Sequence, residues 1–171
     1  MSLEEYFPLI DENGTVIGKA TRRECHNGSK LLHPVVHLHI FNSRGDLFLQ
    51  KRSMSKDIQP GKWDTAVGGH VDYGEDIETA LRREAREELG VTGFMPRKLA
   101  CYIFESVAER EMVNTFSTVY DGVFSIDPVE LDEGRFWDID EICRNIGKSV
   151  FTPNFEQEFQ TVLLPVITAR R

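Results

Sequence analysis

The sequence predicts an α/β fold that contains a mixed sheet, one central helix and a second helix near the C-terminus. Residues 35–41 alternate in character, with Val36, Leu38 and Ile40 on one face and two histidines on the other, which indicates a strand. Apolar residues recur at helical spacing before Gly90, which favours a helix that this glycine ends as a C-cap. Helical spacing returns near the C-terminus.

Local composition predicts the remaining elements. Asn13 and Gly14 favour a hairpin turn between two short strands. Residues 113–124 are rich in Val, Thr, Phe and Tyr, which favours a long strand. Thr152 can cap the final helix, with Pro153 at its first position. The predicted elements are a hairpin over 7–21, a helical turn within 21–27, strands at 35–41 and 47–51, a loop at 53–62, short strands within 63–71, the central helix, strands at 97–105, 113–124 and 136–137, a short helix at 140–146 and a final helix over 152–168.

Length and composition indicate a single domain over residues 1–171. The chain is 40% hydrophobic and 28% charged, a balance that supports a packed core. Its formal charge of −8 gives no general attraction for nucleic acid or for an anionic membrane. The sequence is compatible with a homodimer.

Cysteine usage and the N-terminal residues indicate a cytoplasmic protein. Cys25, Cys101 and Cys143 are widely spaced and odd in number, which argues against a disulfide framework and for a reducing compartment. The N-terminal residues contain no long apolar run, so we expect neither a signal peptide nor a transmembrane segment.

Three glutamates crowd one face of the central helix. At about 100° per residue, Glu84, Glu87 and Glu88 share an arc of roughly 100°. Like charges at this spacing repel one another, and a bound cation would relieve that repulsion. Oxygen ligands suit a hard divalent cation, and Mg²⁺ is the leading candidate because it leaves coordination positions for waters and phosphates. The alternative is a solvated helix face whose glutamates pair with neighbouring arginines.

The stretch 69–91 resembles the Nudix box, G-x5-E-x7-R-E-U-x-E-E-x-G-U, where U is a bulky apolar residue. Every specified position matches except the first U, where Ala85 is smaller than usual. The matching residues are Gly69, Glu75, Arg83, Glu84, Glu87, Glu88, Gly90 and Val91.

This resemblance implies an α/β/α sandwich and the hydrolysis of a diphosphate linkage in nucleoside diphosphate derivatives. It implies that Glu84, Glu87 and Glu88 bind Mg²⁺ or Mn²⁺, and that Glu84 or Glu87 is the catalytic base. Glu75 and Arg83 would form an ion pair that sets the loop before the helix. Gly69 and Gly90 complete the residues that shape the box.

An N-terminal extension, residues 1–33, and the strand after it resemble type I isopentenyl diphosphate isomerase, itself a Nudix-fold enzyme. That resemblance implies a metal site made by His26, His33 and His70, for which imidazole favours Zn²⁺ or another transition metal. The alternative, which the sequence favours, is that these are ordinary histidines. The isomerase has its catalytic cysteine where this chain has Gly68. Its later glutamates should fall near 113–118, where this chain has no carboxylate and Glu111 is the nearest.

The sequence therefore favours a Mg²⁺-dependent hydrolase over an isomerase-like enzyme or a non-catalytic Nudix-fold binding domain. Candidate phosphate contacts are Arg52 and Lys51, for which solvated hairpin residues are the simpler interpretation. Trp63 could equally stack on a substrate ring or pack in the core. The identity of the diphosphate cannot be read from the sequence, because loops outside the box form the pocket.

Overall fold

A computed structural model describes residues 3–56, 58–129 and 131–170. Within these ranges the strands are β1 Tyr6–Ile10, β2 Val16–Thr21, β3 Leu32–Phe41, β4 Leu47–Arg52, β5 Trp63–Thr65, β6 Val67–His70, β7 Arg97–Glu105, β8 Arg110–Val119 and β9 Leu131–Trp137. The helices are α1 Arg22–Cys25, α2 Ile77–Leu89, α3 Ile139–Asn145, α4 Pro153–Glu158 and α5 Leu164–Ala169, with a π-helical turn, Phe159–Leu163, between α4 and α5.

The main sheet is mixed, as the sequence predicts. Its central path runs β5-β4-β3-β8-β7, while β6 pairs with β3 and β9 pairs with β4. β3 and β8 are parallel along their whole length, and β6 runs antiparallel to β3. β1 and β2 form the predicted N-terminal hairpin as a separate two-stranded sheet.

Helices cover both faces of this sheet, which confirms the α/β/α sandwich. The face formed by Val36, Leu38 and Ile40 packs in one core cluster with the apolar stripe of α2. On β4, Phe48 joins that cluster, whereas its neighbours Leu47 and Leu49 pack on the opposite side with α3 and the C-terminal helices. None of the helices in the described part of the chain has the length and apolar character needed to cross a membrane.

β8 differs from the predicted strand at both ends. It begins at Arg110, which pairs with Leu32, and it ends at Val119 rather than at Phe124. Phe124 instead lies beyond the strand and packs in the core beside β4. Its ring stacks on that of Phe48, with ring centroids 4.1 Å apart. The earlier start matters for function, since it places Glu111 inside the strand and opposite His33.

The final helix starts as predicted but is not continuous. The Thr152 hydroxyl accepts a hydrogen bond from the Phe155 amide at 3.2 Å, and Pro153 stands in the first turn. A π-helical turn follows Glu158. Pro165, which cannot donate a backbone hydrogen bond, is the second residue of the next α-helical segment. The wider π-helical turn before it accommodates the missing donor.

Candidate active site

The box helix α2 begins and ends at residues that fix its position. Asp76 caps it, its carboxylate accepting from the Thr79 amide at 2.7 Å. Gly90 ends it in the left-handed conformation, with φ of 66°. The three glutamates therefore lie in its last two turns, in the half of the helix that ends at Gly90.

Arg83 connects the loop before α2 to the glutamates on the helix. Its guanidinium donates to both oxygens of Glu75, at 2.8 and 3.0 Å, so the predicted ion pair is present. It also donates to Glu84 at 2.8 Å, to Glu87 at 3.3 Å and to the His70 carbonyl at 3.0 Å. The hydrogen bonds that Arg83 donates to Glu75 are the main reason that the pKa of Arg83 is raised. One fixed cation thus offsets the repulsion among the carboxylates.

The three glutamates differ in their surroundings. The Glu84 side chain is 16% exposed, and burial raises the pKa of its carboxyl, although Arg83 acts in the opposite direction. The Glu87 side chain is 54% exposed. Glu88 accepts a hydrogen bond from the Gly68 amide at 3.3 Å, so it reaches across to β6. Burial therefore distinguishes Glu84 from the more exposed Glu87.

A second cluster brings His26, His33 and His70 together with Glu109 and Glu111. One ligand atom from each of the five residues lies within 4.8 Å of all the others. The Nε2 atom of His26 is 3.1 Å from Nε2 of His70 and 3.1 Å from a Glu109 oxygen. Glu111 lies 3.8 Å from His70 and 3.9 Å from His33. We call this set the His–Glu cluster.

The His–Glu cluster corrects two expectations. The three histidines meet in space, whereas the sequence favoured ordinary histidines. β8 supplies one carboxylate of the cluster, because its register with β3 carries Glu111 to a position opposite His33. Glu109, just before the strand, was missed altogether; its spacing of two from Glu111, which puts both on one side of an extended chain, was the available signal.

The chemistry of the His–Glu cluster fits a divalent metal. His33 holds the Leu31 carbonyl through Nδ1 at 2.9 Å, and its Nε2 is buried without a hydrogen-bond partner among the described residues. Such a bond orients the imidazole and leaves Nε2 as the ligand. Burial lowers the pKa of His33 and His70, so both favour the neutral form that binds metal. Burial, followed by the charge on Glu109, raises the pKa of Glu111 to about 8.

The N-terminal hairpin covers this cluster. Phe7 of β1 stacks on the His70 ring with centroids 4.4 Å apart and planes 1° from parallel. Phe7 itself is buried with Ala20 and Cys25. The extension therefore forms a wall of the site, because its aromatic ring fixes the orientation of an imidazole.

One cavity of about 790 Å³ joins the two carboxylate sets. Its lining includes all three box glutamates and, from the His–Glu cluster, His70, Glu109 and Glu111. Four cations also border it, which suits an anionic ligand among so many acids: Arg22, Arg52, Lys56 and Arg83.

Of the predicted substrate contacts, only Arg52 borders the cavity. Trp63 and Lys51 are not among the described residues that line it. Trp63 packs edge-on against Trp137, with centroids 5.1 Å apart, and belongs to the core cluster of α3 and the C-terminal helices. Lys51 is paired with Trp63 in the sheet. Trp63 therefore packs with the core in this structure, and its contact with a substrate ring stays a prediction.

Comparison with known proteins identifies the family of this chain. A family model described as a NUDIX domain matches residues 31–155, and this span contains the whole box. The chain belongs to the Nudix hydrolase family. It is 33% identical over 150 residues to an uncharacterized Nudix hydrolase of Yersinia pestis, covering 88% of this chain and 81% of that one.

This Nudix hydrolase is also similar in sequence to isomerases. The chain is 28% identical over 150 residues to an isopentenyl-diphosphate Delta-isomerase of an Enterobacter species, covering 84% of this chain and 82% of that one. The crystal structure of DR0079 from Deinococcus radiodurans superposes with a TM-score of 0.77 at 26% identity, covering 91% of this chain and 98% of that one. The family acts on pyrophosphate bonds, and the chain resembles its isomerase-like subgroup while carrying Gly68 at the cysteine position.

Proposed function

We propose that this Nudix hydrolase cleaves the diphosphate linkage of a small polar substrate, such as a nucleoside diphosphate derivative, with Mg²⁺ or Mn²⁺ held by Glu84, Glu87 and Glu88. The observation that carries the proposal is the shared cavity, in which these three carboxylates face the same space as four cationic side chains. Carboxylates recruit the metal, and the cations compensate phosphate charge where the metal does not reach.

The chain's own residues supply positioning and proton transfer. When bound, the metal would lower the pKa of a coordinated water and neutralise charge on the diphosphate. Glu84 accepts the proton of the attacking water, with Glu87 as the second candidate, because burial has moved the pKa of Glu84 upward. Arg83 holds Glu84 and Glu87 in place while Glu75 holds Arg83.

The composition of the cavity wall favours a polar substrate over a prenyl one. Apart from glycines, the apolar residues among its described lining are Phe7, Val35 and Leu131. Other lining residues are polar, among them Gln50, Asp64, Thr65 and Asn154. A prenyl chain would desolvate these polar groups, whereas hydroxyl or base groups would hydrogen-bond to them.

The His–Glu cluster supports a second metal as part of this proposal. Three imidazoles and two carboxylates suit a transition metal such as Zn²⁺ or Mn²⁺ better than Mg²⁺. The same cluster is the observation that favours an isomerase-like reaction. Gly68 opposes that reaction, since a glycine cannot supply the acid that protonates an alkene. A non-catalytic binding domain is disfavoured, because such a domain has no need of the full carboxylate set.

The test is a hydrolysis panel with nucleoside diphosphate sugars, dinucleoside polyphosphates, ADP-ribose and prenyl diphosphates. Phosphate or nucleotide release is measured with Mg²⁺, with Mn²⁺ and with EDTA. We expect metal-dependent turnover of at least one polar diphosphate and faster turnover of polar than of prenyl substrates. Absence of turnover across the panel with either metal would refute the proposal, as would equal rates in EDTA.

A further inference from the structure

A buried polar network lies on the side of β3 that faces away from α2. Glu158, at the end of α4, is 1% exposed and sits where the apolar stripe of the C-terminal helix would otherwise continue. Its carboxylate is 2.6 Å from Nδ1 of His37 and 3.1 Å from Nε2 of His39. It also accepts hydrogen bonds from Tyr102 at 2.9 Å and from Thr115. Four donors therefore converge on one carboxylate, which satisfies its charge.

His37 and His39 relate differently to the cavity. The His37 side chain is 19% exposed and borders the cavity, while His39 is fully buried and is not among the described lining residues. The two histidines thus share a strand, a face and a carboxylate, but only His37 reaches the space where we place the substrate.

The free edge of the His37 ring lies beside Gly68. Glu158 holds Nδ1, so the opposite edge carries Cδ2 and Nε2. A Cβ at position 68 would lie 3.6 Å from that Cδ2 and 3.9 Å from that Nε2, so the glycine leaves the edge open. None of the described residues hydrogen-bonds to Nε2 of His37.

We propose that His37 contacts the bound diphosphate, its Nε2–H donating to a phosphate oxygen, and that Glu158 is the positioning residue that holds the imidazole for this contact. The inference rests on the proposed diphosphate substrate and adds a ligand contact outside the box and outside the His–Glu cluster. A donor aimed at a phosphate oxygen stabilises the negative charge that grows there as the P–O bond breaks.

The electrostatics of the network support a cationic His37. Burial by itself would disfavour the charge, but the adjacent Glu158 carboxylate outweighs it, and the pKa of His37 is raised. The same pairing holds the pKa of Glu158 well below its usual range in spite of its burial. The π-helical turn starts directly after Glu158, and such turns are frequent at functional sites.

The test compares His37→Gln with the matched control His39→Gln in the whole chain. The probe is the non-hydrolysable adenosine 5′-(α,β-methylene)diphosphate with Mg²⁺, and its affinity is measured by calorimetry. We expect His37→Gln to weaken binding by roughly 10- to 100-fold, as for loss of one charge-assisted hydrogen bond. His39→Gln disturbs the same carboxylate, but residue 39 does not contact the probe. The loss of probe affinity in His39→Gln should therefore be distinctly smaller than in His37→Gln. Glu158→Gln should fall between them.

Two further measurements keep the outcome decisive. Side-chain ¹H–¹⁵N spectra should show the Nε2 signal of His37, and not that of His39, shifting on addition of the probe. Gly68→Val leaves the network intact and places a side chain against the open ring edge, so it should also weaken binding, even where His37→Gln fails to fold. An unmoved His37 signal, wild-type affinity in folded His37→Gln or in Gly68→Val, or no probe binding by the wild type would overturn the inference.

The outcome can be separated from that of the proposed hydrolysis. If the wild type binds the probe through His37 but turns over no diphosphate in the panel, the hydrolase proposal fails and this contact stands. If the wild type hydrolyses a diphosphate and His37→Gln matches its kcat, KM and probe affinity, the contact fails and the hydrolase proposal stands.

Discussion

The carboxylate of Glu84 lies against the backbone of Gly69, so closely that a Cβ at position 69 would be 2.6 Å from Oε1. Gly69 stands in β6, paired with Val36 at the centre of the sheet, and it cannot easily move. The absence of a side chain there lets the box helix bring Glu84 onto the strand. Gly69 therefore acts through Glu84, and a substitution at either position should disturb the same carboxylate.

Gly69→Ala should reduce turnover by roughly 10- to 100-fold while the fold survives, because the methyl group displaces Glu84 from its place beside Arg83. Steady-state kinetics with Mg²⁺ and a thermal melt would measure this. Gly18→Ala is the matched control, since its methyl group would meet Leu9 only at an ordinary contact distance of 3.9 Å. Wild-type turnover by Gly69→Ala would contradict the role given to this close approach.

Glu75→Gln should cost both activity and stability. It breaks a two-point ion pair with Arg83 that is 13% exposed on the Glu75 side, and it leaves the arginine partly uncompensated. We expect a loss of about 1–3 kcal/mol in the free energy of unfolding, measured by urea denaturation. Glu78→Gln is the control: it breaks a helical pair with Arg82 whose glutamate is 62% exposed, and should cost at most about 0.5 kcal/mol. Equal losses of unfolding free energy in the two variants would contradict the structural role given to the ion pair of Glu75.

Metal dependence should follow the box glutamates. Glu87→Gln and Glu88→Gln should each lower kcat by about 100-fold or more while preserving the circular dichroism spectrum, because each removes a negative ligand charge. Chelation by EDTA should abolish turnover, and added Mg²⁺ should restore it. Glu78→Gln, on the same helix, should keep its activity. Undiminished turnover by both ligand variants would place the metal elsewhere.

The His–Glu cluster should bind a transition metal that is separable from Mg²⁺. Zn²⁺ or Mn²⁺ should raise the melting temperature of the wild type, because a ligand that binds only the folded state stabilises it. His70→Ala should lose this shift and the metal counted by mass spectrometry, while its box helix stays folded. Binding should weaken as the pH falls through the histidine range, since protons compete for the imidazoles. A shift of equal size in His70→Ala would argue against the cluster.

No isomerisation of isopentenyl diphosphate is expected with either metal, because glycine stands at the position of the isomerase cysteine. NMR of the reaction mixture would detect the double-bond isomer directly. Conversion at an enzymatic rate that disappears in His70→Ala would reverse the choice between the two reactions.

The pair of His37 and Glu158 should make stability depend on pH. The pKa of His37 is raised in the folded state, chiefly by Glu158 against the effect of burial and with help from Asp64 and Glu111. Its contribution is therefore fully present below the unfolded pKa of about 6.5 and is lost as the pH rises through the higher folded value. The difference in free energy of unfolding between wild type and His37→Gln should shrink between pH 6 and pH 9. Denaturant titrations at several pH values would show it, and a constant difference would contradict it.

The sequence by itself determined what lies within single segments. The helical period placed Glu84, Glu87 and Glu88 on one arc, and the strand period separated Val36, Leu38 and Ile40 from His37 and His39. The resemblance to the Nudix box implied the pairing of Glu75 with Arg83. These predictions succeed because backbone geometry relates residues that are close along one element, whatever the rest of the chain does.

The tertiary structure decided which of those segments face one another. The parallel register of β3 with β8 put Glu111 opposite His33, and the hairpin brought His26 to the same place. The packing of the C-terminal helix carried Glu158 to His37, across 121 positions of sequence. The sequence shows that Glu158 interrupts the apolar stripe of that helix, but it does not show which residue pairs with this carboxylate. Strand register and helix packing depend on side chains far apart in the chain, and no local period encodes them.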